Sequence, residues 1–139
     1  MLKSENKHRN GSTERTDRVY GYELVLDLKN CDTSRFNRES IDKFFTSICR
    51  LIHMEKCVVH FWDDIGVPLE DQQVEPHTKG TSAVCFILTS SIVVHTLDLL
   101  ATTYVNIFSC KSFSPSQAIE FTAQWFGGDI ANSHFLQRH

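Results

Sequence analysis

The stretch from Gly80 to Cys110, GTSAVCFILTSSIVVHTLDLLATTYVNIFSC, decides how this chain is read. It holds three runs of strand length, Ser82 to Leu88, Ile92 to Leu97 and Tyr104 to Cys110, rich in β-branched and aromatic residues. Ser82, the Thr89-Ser90 pair, His95 and Cys110 stand at or near the ends of those runs. Hydroxyl, imidazole and thiol are the side-chain groups that attack carbonyls and carry protons near neutral pH. None of these residues is notable alone; their order and spacing are.

Upstream, Tyr20 to Leu28 alternates as a strand, with Tyr20, Tyr22, Leu24, Leu26 and Leu28 on one side. Asn30 to Ser34 is a turn cluster. Ile41, Phe44, Phe45, Ile48, Leu51 and Ile52 recur at helical spacing and predict an amphipathic helix over Arg38 to Met54. Cys57 to Phe61 is a short β-branched strand. Asp63 to Lys79 is polar, with Gly66, Pro68 and Pro76, and exceeds the ~12–15 residues beyond which a loop is usually functional or disordered. It is a candidate substrate lid. Its acidic residues, Asp63, Asp64, Glu70, Asp71 and Glu75, read as a solvated face.

Downstream, Ser114 is placed to cap a second helix, Pro115 suits its first position, and Gln117 completes a capping box. Ala118, Ile119, Thr122, Trp125 and Phe126 give that helix an inner face, and Gly127-Gly128 stops it. Asp129 to Leu136 is the last strand. The order, read as β-α-β-β-β-α-β, predicts an α+β fold: a two-layer sandwich, mostly antiparallel sheet, with two helices on one face. The other face carries Phe86, Phe108 and the valines of the central strands. An apolar face of that kind predicts a homodimer.

The chain has 139 residues, 41% of them hydrophobic and 22% charged, which suits one soluble globular domain over 19–139 behind a flexible polar arm, 1–18. A net charge of -3 offers no footprint for nucleic acid or an anionic membrane. No apolar run spans a bilayer, and the amino end lacks the hydrophobic core of a signal peptide. Five cysteines without a CxxC pair read as reduced thiols in a cytoplasmic protein, Cys49 and Cys85 as buried packing. His53, His60 and His134 share no ligand spacing with them, so no metal site is expected. A hydrolase triad of Ser90, His95 and Asp98 is disfavoured: there is no Gly-x-Ser-x-Gly elbow, and His95 and Asp98 share one strand.

Gly80-Thr81-Ser82, Ser90, His95-Thr96 and Asn106-Ile107-Phe108-Ser109-Cys110 together resemble the core of the prokaryotic-type pyruvoyl-dependent S-adenosylmethionine decarboxylases. The likeness runs from Tyr20 to Phe126 and includes Leu24-Val25-Leu26-Asp27-Leu28 with Cys31-Asp32 after it. It implies a proenzyme, or zymogen, that cleaves itself between Thr89 and Ser90. By this likeness the Ser90 hydroxyl attacks the Thr89 carbonyl, and the ester formed undergoes elimination. Hydrolysis then leaves a pyruvoyl group at the head of the fragment beginning at residue 90. That ketone takes the substrate amine as a Schiff base and acts as an electron sink. Ser82 and His95 assist processing, with His95 the base for elimination, and Cys110 protonates the substrate α-carbon. The implied product feeds spermidine and polyamine biosynthesis.

The chain departs from the family pattern at three places. Thr89 stands where glutamate is usual, Ser91 where histidine is usual, and Leu97-Asp98-Leu99 where Trp-Pro-Glu commonly holds the nucleoside. Phe61 and Trp62, at the mouth of the long loop, are candidate substitutes for the stacking surface, or plain rim packing. Asp98 is a candidate partner for a cationic substrate. Two further readings therefore stay open. One is a pyruvoyl-dependent decarboxylase of a basic amino acid, arginine or ornithine; the other is a non-processing binding or regulatory relative. In a simple hairpin Ser82 lies near His95, while Ser90 and Cys110 lie near the other end. Two chains packed antiparallel would bring the four together.

Overall fold

The computed structural model describes residues 18–139; apart from Arg18, the arm expected over 1–18 lies outside the described residues. The four segments read as strands between the helices all join one sheet, so the order is β-α-β-β-β-β-α-β, one strand more than the order read from the sequence. In chain order the elements are β1 (Gly21–Lys29), α1 (Arg38–Leu51), β2 (Lys56–Trp62), β3 (Gly80–Ile87), β4 (Ser90–Leu97), β5 (Thr102–Ser109), α2 (Pro115–Phe126) and β6 (Asp129–Arg138). The six-stranded sheet runs β2-β3-β4-β5-β1-β6, and every neighbouring pair is antiparallel. After β1 the α1 crossover carries the chain to the far edge. A four-strand meander then walks back until β5 docks on β1. The α2 crossover passes over β1 and lays β6 on its other side.

Both helices cover one face, so residues alternate between core and open face. On β4 the core takes Ile92, Val94 and Thr96, all but fully buried, while His95 is exposed on the other side. On β1 it takes Leu24, Leu26 and Leu28, with Tyr22 stacked on Phe135 at 5.5 Å. Tyr20 leaves this set: it precedes β1, is half exposed, and stacks on Phe108 at 6.2 Å instead. Phe44 on α1 is fully buried and meets Phe45, Phe121, Trp125 and Phe126 with ring centroids 5.1–6.3 Å away. Phe44→Ala is expected to destabilise the fold by about 3–5 kcal/mol, read as a shift in a urea unfolding midpoint.

The helix ends follow local chemistry. Asn37 caps α1 by accepting from the Ser40 N–H at 2.9 Å, and Ser114 caps α2 through the Gln117 N–H at 3.3 Å. α1 stops at Leu51, short of Met54, because His53 turns into the left-handed region at φ 57°. α2 ends on Gly127 at φ 63°, with the Gly128 N–H bonded back to the Ala123 carbonyl. No described helix is long and apolar enough to cross a membrane.

The 63–79 loop has internal structure. It includes a 3-10 turn at Leu69–Asp71, and the Gln73 N–H and Gln72 amide bond back to Asp64 and the Val67 carbonyl. Asp63 is not part of a solvated face. Its side chain is only 7% exposed and grips Arg38 through two bonds, at 2.6 and 2.7 Å, which hold its carboxyl below the usual range.

Candidate active site

The β3–β4 hairpin and the end of β5 position all four chemical side chains. Ser82 and His95 are cross-strand partners on the open face, and Ser82 Oγ lies 2.7 Å from His95 Nδ1. That contact engages one ring nitrogen and leaves Nε2 for other work. Trp62, Val84 and Val93 line a shallow, largely apolar cavity of about 220 Å³ beside them.

The other end of the hairpin holds the second pair. Ile87 pairs with Ser90, so the turn is Leu88-Thr89, and Ser90 is the first residue of β4 rather than part of the turn. Neither turn residue has positive φ, unlike the primed turns usual in two-residue hairpins. The turn is held from outside instead. The Cys110 N–H donates to Ser90 Oγ at 2.9 Å, and Cys110 Sγ lies 3.8 Å from the Leu88 carbonyl oxygen. Ser90 is 6% exposed. The Ser90 hydroxyl lowers the Cys110 thiol below its usual pKa; burial opposes this, and the Thr89 hydroxyl, the backbone N–H and Lys111 add to it.

The two pairs are not brought together within one chain. Ser90 and His95 lie five positions apart on β4, roughly 16 Å at ~3.3 Å per residue. Five is also an odd number, so their side chains leave the sheet on opposite faces.

Of the three candidate substrate contacts, two stay together and the third stands apart. Trp62 is 53% exposed at the rim of the Ser82–His95 cavity. Phe61 lines the same cavity and also packs against the core, with the Arg38 guanidinium 5.8 Å from its ring centre. Asp98 lines a different cavity, about 300 Å³, at the end of the sheet with Arg38, Asp63, Asp64, Gln72 and Lys79. Its Oδ1 is buried without a hydrogen-bond partner, and burial raises its carboxyl pKa against the pull of Lys79. Among the described residues no group of histidine, cysteine and carboxylate is arranged to hold a metal ion.

A family model for S-adenosylmethionine decarboxylase matches residues 22–139. The chain belongs to the S-adenosylmethionine decarboxylase family. Family membership makes it a decarboxylase-like protein acting on a small molecule. Among solved structures, the adenosylmethionine decarboxylase from Aquifex aeolicus VF5 shares the fold with a TM-score of 0.68 at 17% identity. The alignment covers 87% of this chain and 92% of that one. No curated protein matches the sequence.

Ser109 and Gly21, which shape the Cys110 turn, escape a reading of residue types. A serine at a strand end and a glycine at a strand start carry no spacing signal, and only the folded register brings them together.

Proposed function

We propose that the chain is a self-processing, pyruvoyl-dependent decarboxylase of S-adenosylmethionine that supplies aminopropyl groups for spermidine synthesis. The observation that carries this reading is the contact of Ser90 and Cys110 at the exit of the Leu88-Thr89 turn. A pyruvoyl group made from residue 90 needs a hydroxyl there, and a proton donor close to it. Ser90 and Cys110 fit both needs.

In processing, Ser90 Oγ bonds to the Thr89 carbonyl carbon as the peptide C–N bond breaks, and the Ser90 nitrogen takes up the proton. Removal of the Ser90 α-proton then expels Thr89 as a carboxylate. Water replaces the nitrogen, which leaves as ammonia. His95 suits the proton-removal step in the tautomer whose Nδ1–H donates to Ser82 Oγ, because Nε2 then keeps its lone pair. The ketone so made supplies an electron sink for decarboxylation. Cys110 Sγ holds the proton delivered to the substrate α-carbon. A thiol poised below its ordinary pKa gives that proton up more readily near neutrality. That lowering belongs to the unprocessed chain, because processing removes the Ser90 hydroxyl, its largest cause.

The roughly 16 Å between the two pairs favours a homodimer in which Ser82 and His95 of one protomer meet Ser90 and Cys110 of a second copy. Phe86 and Trp62 are half exposed on the open face, and Val84 and Val93 line its cavities. That gives such a partner an apolar surface to cover, and from that side its base is offered the Ser90 α-proton, which leaves Cα away from the core-facing hydroxyl.

The test is intact mass of freshly purified protein on a denaturing gradient. Two fragments divided after Thr89, the second blocked by a carbonyl, support the reading; one intact species points to a non-processing relative.

A second reading has its own observation. The unpartnered Asp98 oxygen, in one cavity with Asp64, suits a cationic amine better than a nucleoside, which favours arginine or ornithine as substrate. Carbon dioxide release from all three compounds separates the two. Under this second reading Asp98→Asn abolishes release from the basic amino acid; under the first it leaves release from S-adenosylmethionine within a few-fold of the unsubstituted chain.

A further inference from the structure

We propose that Ser109 is the positioning residue of the Cys110 thiol: its buried hydroxyl clamps the turn that holds Cys110 against Ser90. The inference rests on the reading above, in which Cys110 carries the proton for the substrate.

Ser109 ends β5 and is fully buried. Its Oγ lies 2.8 Å from the Lys111 carbonyl oxygen, 3.1 Å from the Lys111 backbone nitrogen, and 3.9 Å from Met54 Sδ. A hydroxyl has one proton to give. The carbonyl at 2.8 Å takes it in preference to a distant thioether, a weak acceptor, and Oγ accepts the Lys111 N–H in return. One side chain therefore closes both ends of a three-residue bend with Cys110 at its apex. That bend aims the Cys110 N–H at Ser90 Oγ, 2.9 Å away.

The bend has a wall behind it. Gly21, the first residue of β1, passes so close that a Cβ there would sit 2.3 Å from the Ser109 carbonyl oxygen and 3.0 Å from Cys110 Cα. The hydroxyl clamp holds the backbone of Lys111 and the glycine wall abuts the Ser109–Cys110 peptide, so the two bear on neighbouring parts of one bend. Neither touches substrate or the scissile bond; both act through Cys110.

The experiment reads the thiol itself in the full chain. Alkylation of Cys110 by iodoacetamide is followed by peptide mass mapping across a pH series, which separates it from exposed Cys57. In the parent for this test, a His95→Ala chain that keeps Ser90 unprocessed, the midpoint falls below the ordinary thiol value of ~8.5. In Ser109→Ala it rises towards that value, and reactivity near neutrality drops on the order of tenfold for each unit gained. Ser109→Thr, which keeps the hydroxyl, restores the low midpoint. Gly21→Ala shifts it upward as Ser109→Ala does. A folded Ser109→Ala with an unchanged midpoint overturns the proposal. Should that variant fail to fold, Ser109→Cys takes its place: similar in size, a weaker partner, and expected to raise the midpoint partway. An unchanged midpoint there is equally fatal. A chain that never cleaves after Thr89 removes the proposed processing while leaving this thiol measurement readable, so the two failures are distinct.

Discussion

Ser90→Ala is expected to yield a single species of 16.0 kDa on a denaturing gel, where the proposed processing gives the unsubstituted protein two fragments. The effect is complete because alanine has no oxygen to bond to the Thr89 carbonyl, and no neighbour stands in for it. Ser91 follows on the opposite face of β4, and Ser82 is at the far end of the hairpin. Loss of fold does not explain the result. Replacement leaves one Cys110 N–H without its acceptor, a cost of about 1–3 kcal/mol, and circular dichroism at room temperature stays that of the unsubstituted chain. In the cleaving protein the two fragment masses sum to the intact mass plus the difference between one water and one ammonia. A Ser90→Ala sample that still splits after Thr89 would end the proposed chemistry.

Co-expression of Ser90→Ala with His95→Ala is expected to restore cleavage that neither variant shows alone. The reason is geometric: the hairpin holds Ser90 and His95 roughly 16 Å apart on one strand and on opposite faces. If each site draws Ser82 and His95 from one copy and Ser90 and Cys110 from the other, a mixed dimer contains one doubly damaged site and one intact site. Random pairing then gives about a quarter of all sites in working order. Differently tagged copies allow the cleaved chain to be traced to the His95→Ala partner, which still owns Ser90. A mixture with no fragments places the whole reaction inside a single chain, and some other group would have to serve as the base.

Much of the sheet was legible because its code is local. Period-two runs, the Ser114-Pro115 start and the Gly127-Gly128 stop are signals written into adjacent residues, and the elements formed where those signals stood. Separation of Ser82–His95 from Ser90–Cys110 was also readable, since a hairpin's register follows from counting. What escaped was set by tertiary contact. Asp63 looked like one acid among several in a polar loop, but the N-terminal end of α1 brings Arg38 against it and takes it out of water. Tyr20 continued an alternating pattern, but it lies beyond the paired part of β1 and stacks on Phe108. Phe61 and Trp62, read together at the mouth of the long loop, do share a cavity with Ser82 and His95, whereas Asp98 belongs to a separate one that only the fold reveals. The hydroxyl of Ser109 had no legible role at all, because its partners are backbone atoms.

The crossover of α2 has a mechanical result for a severed chain. A cut after Thr89 puts β1, β2 and β3 in the first piece and β4, β5 and β6 in the second. Strand β1 is then clasped between β5 and β6, and β3 remains zipped to β4. The halves interlock like folded hands, so a chain cut there would not come apart.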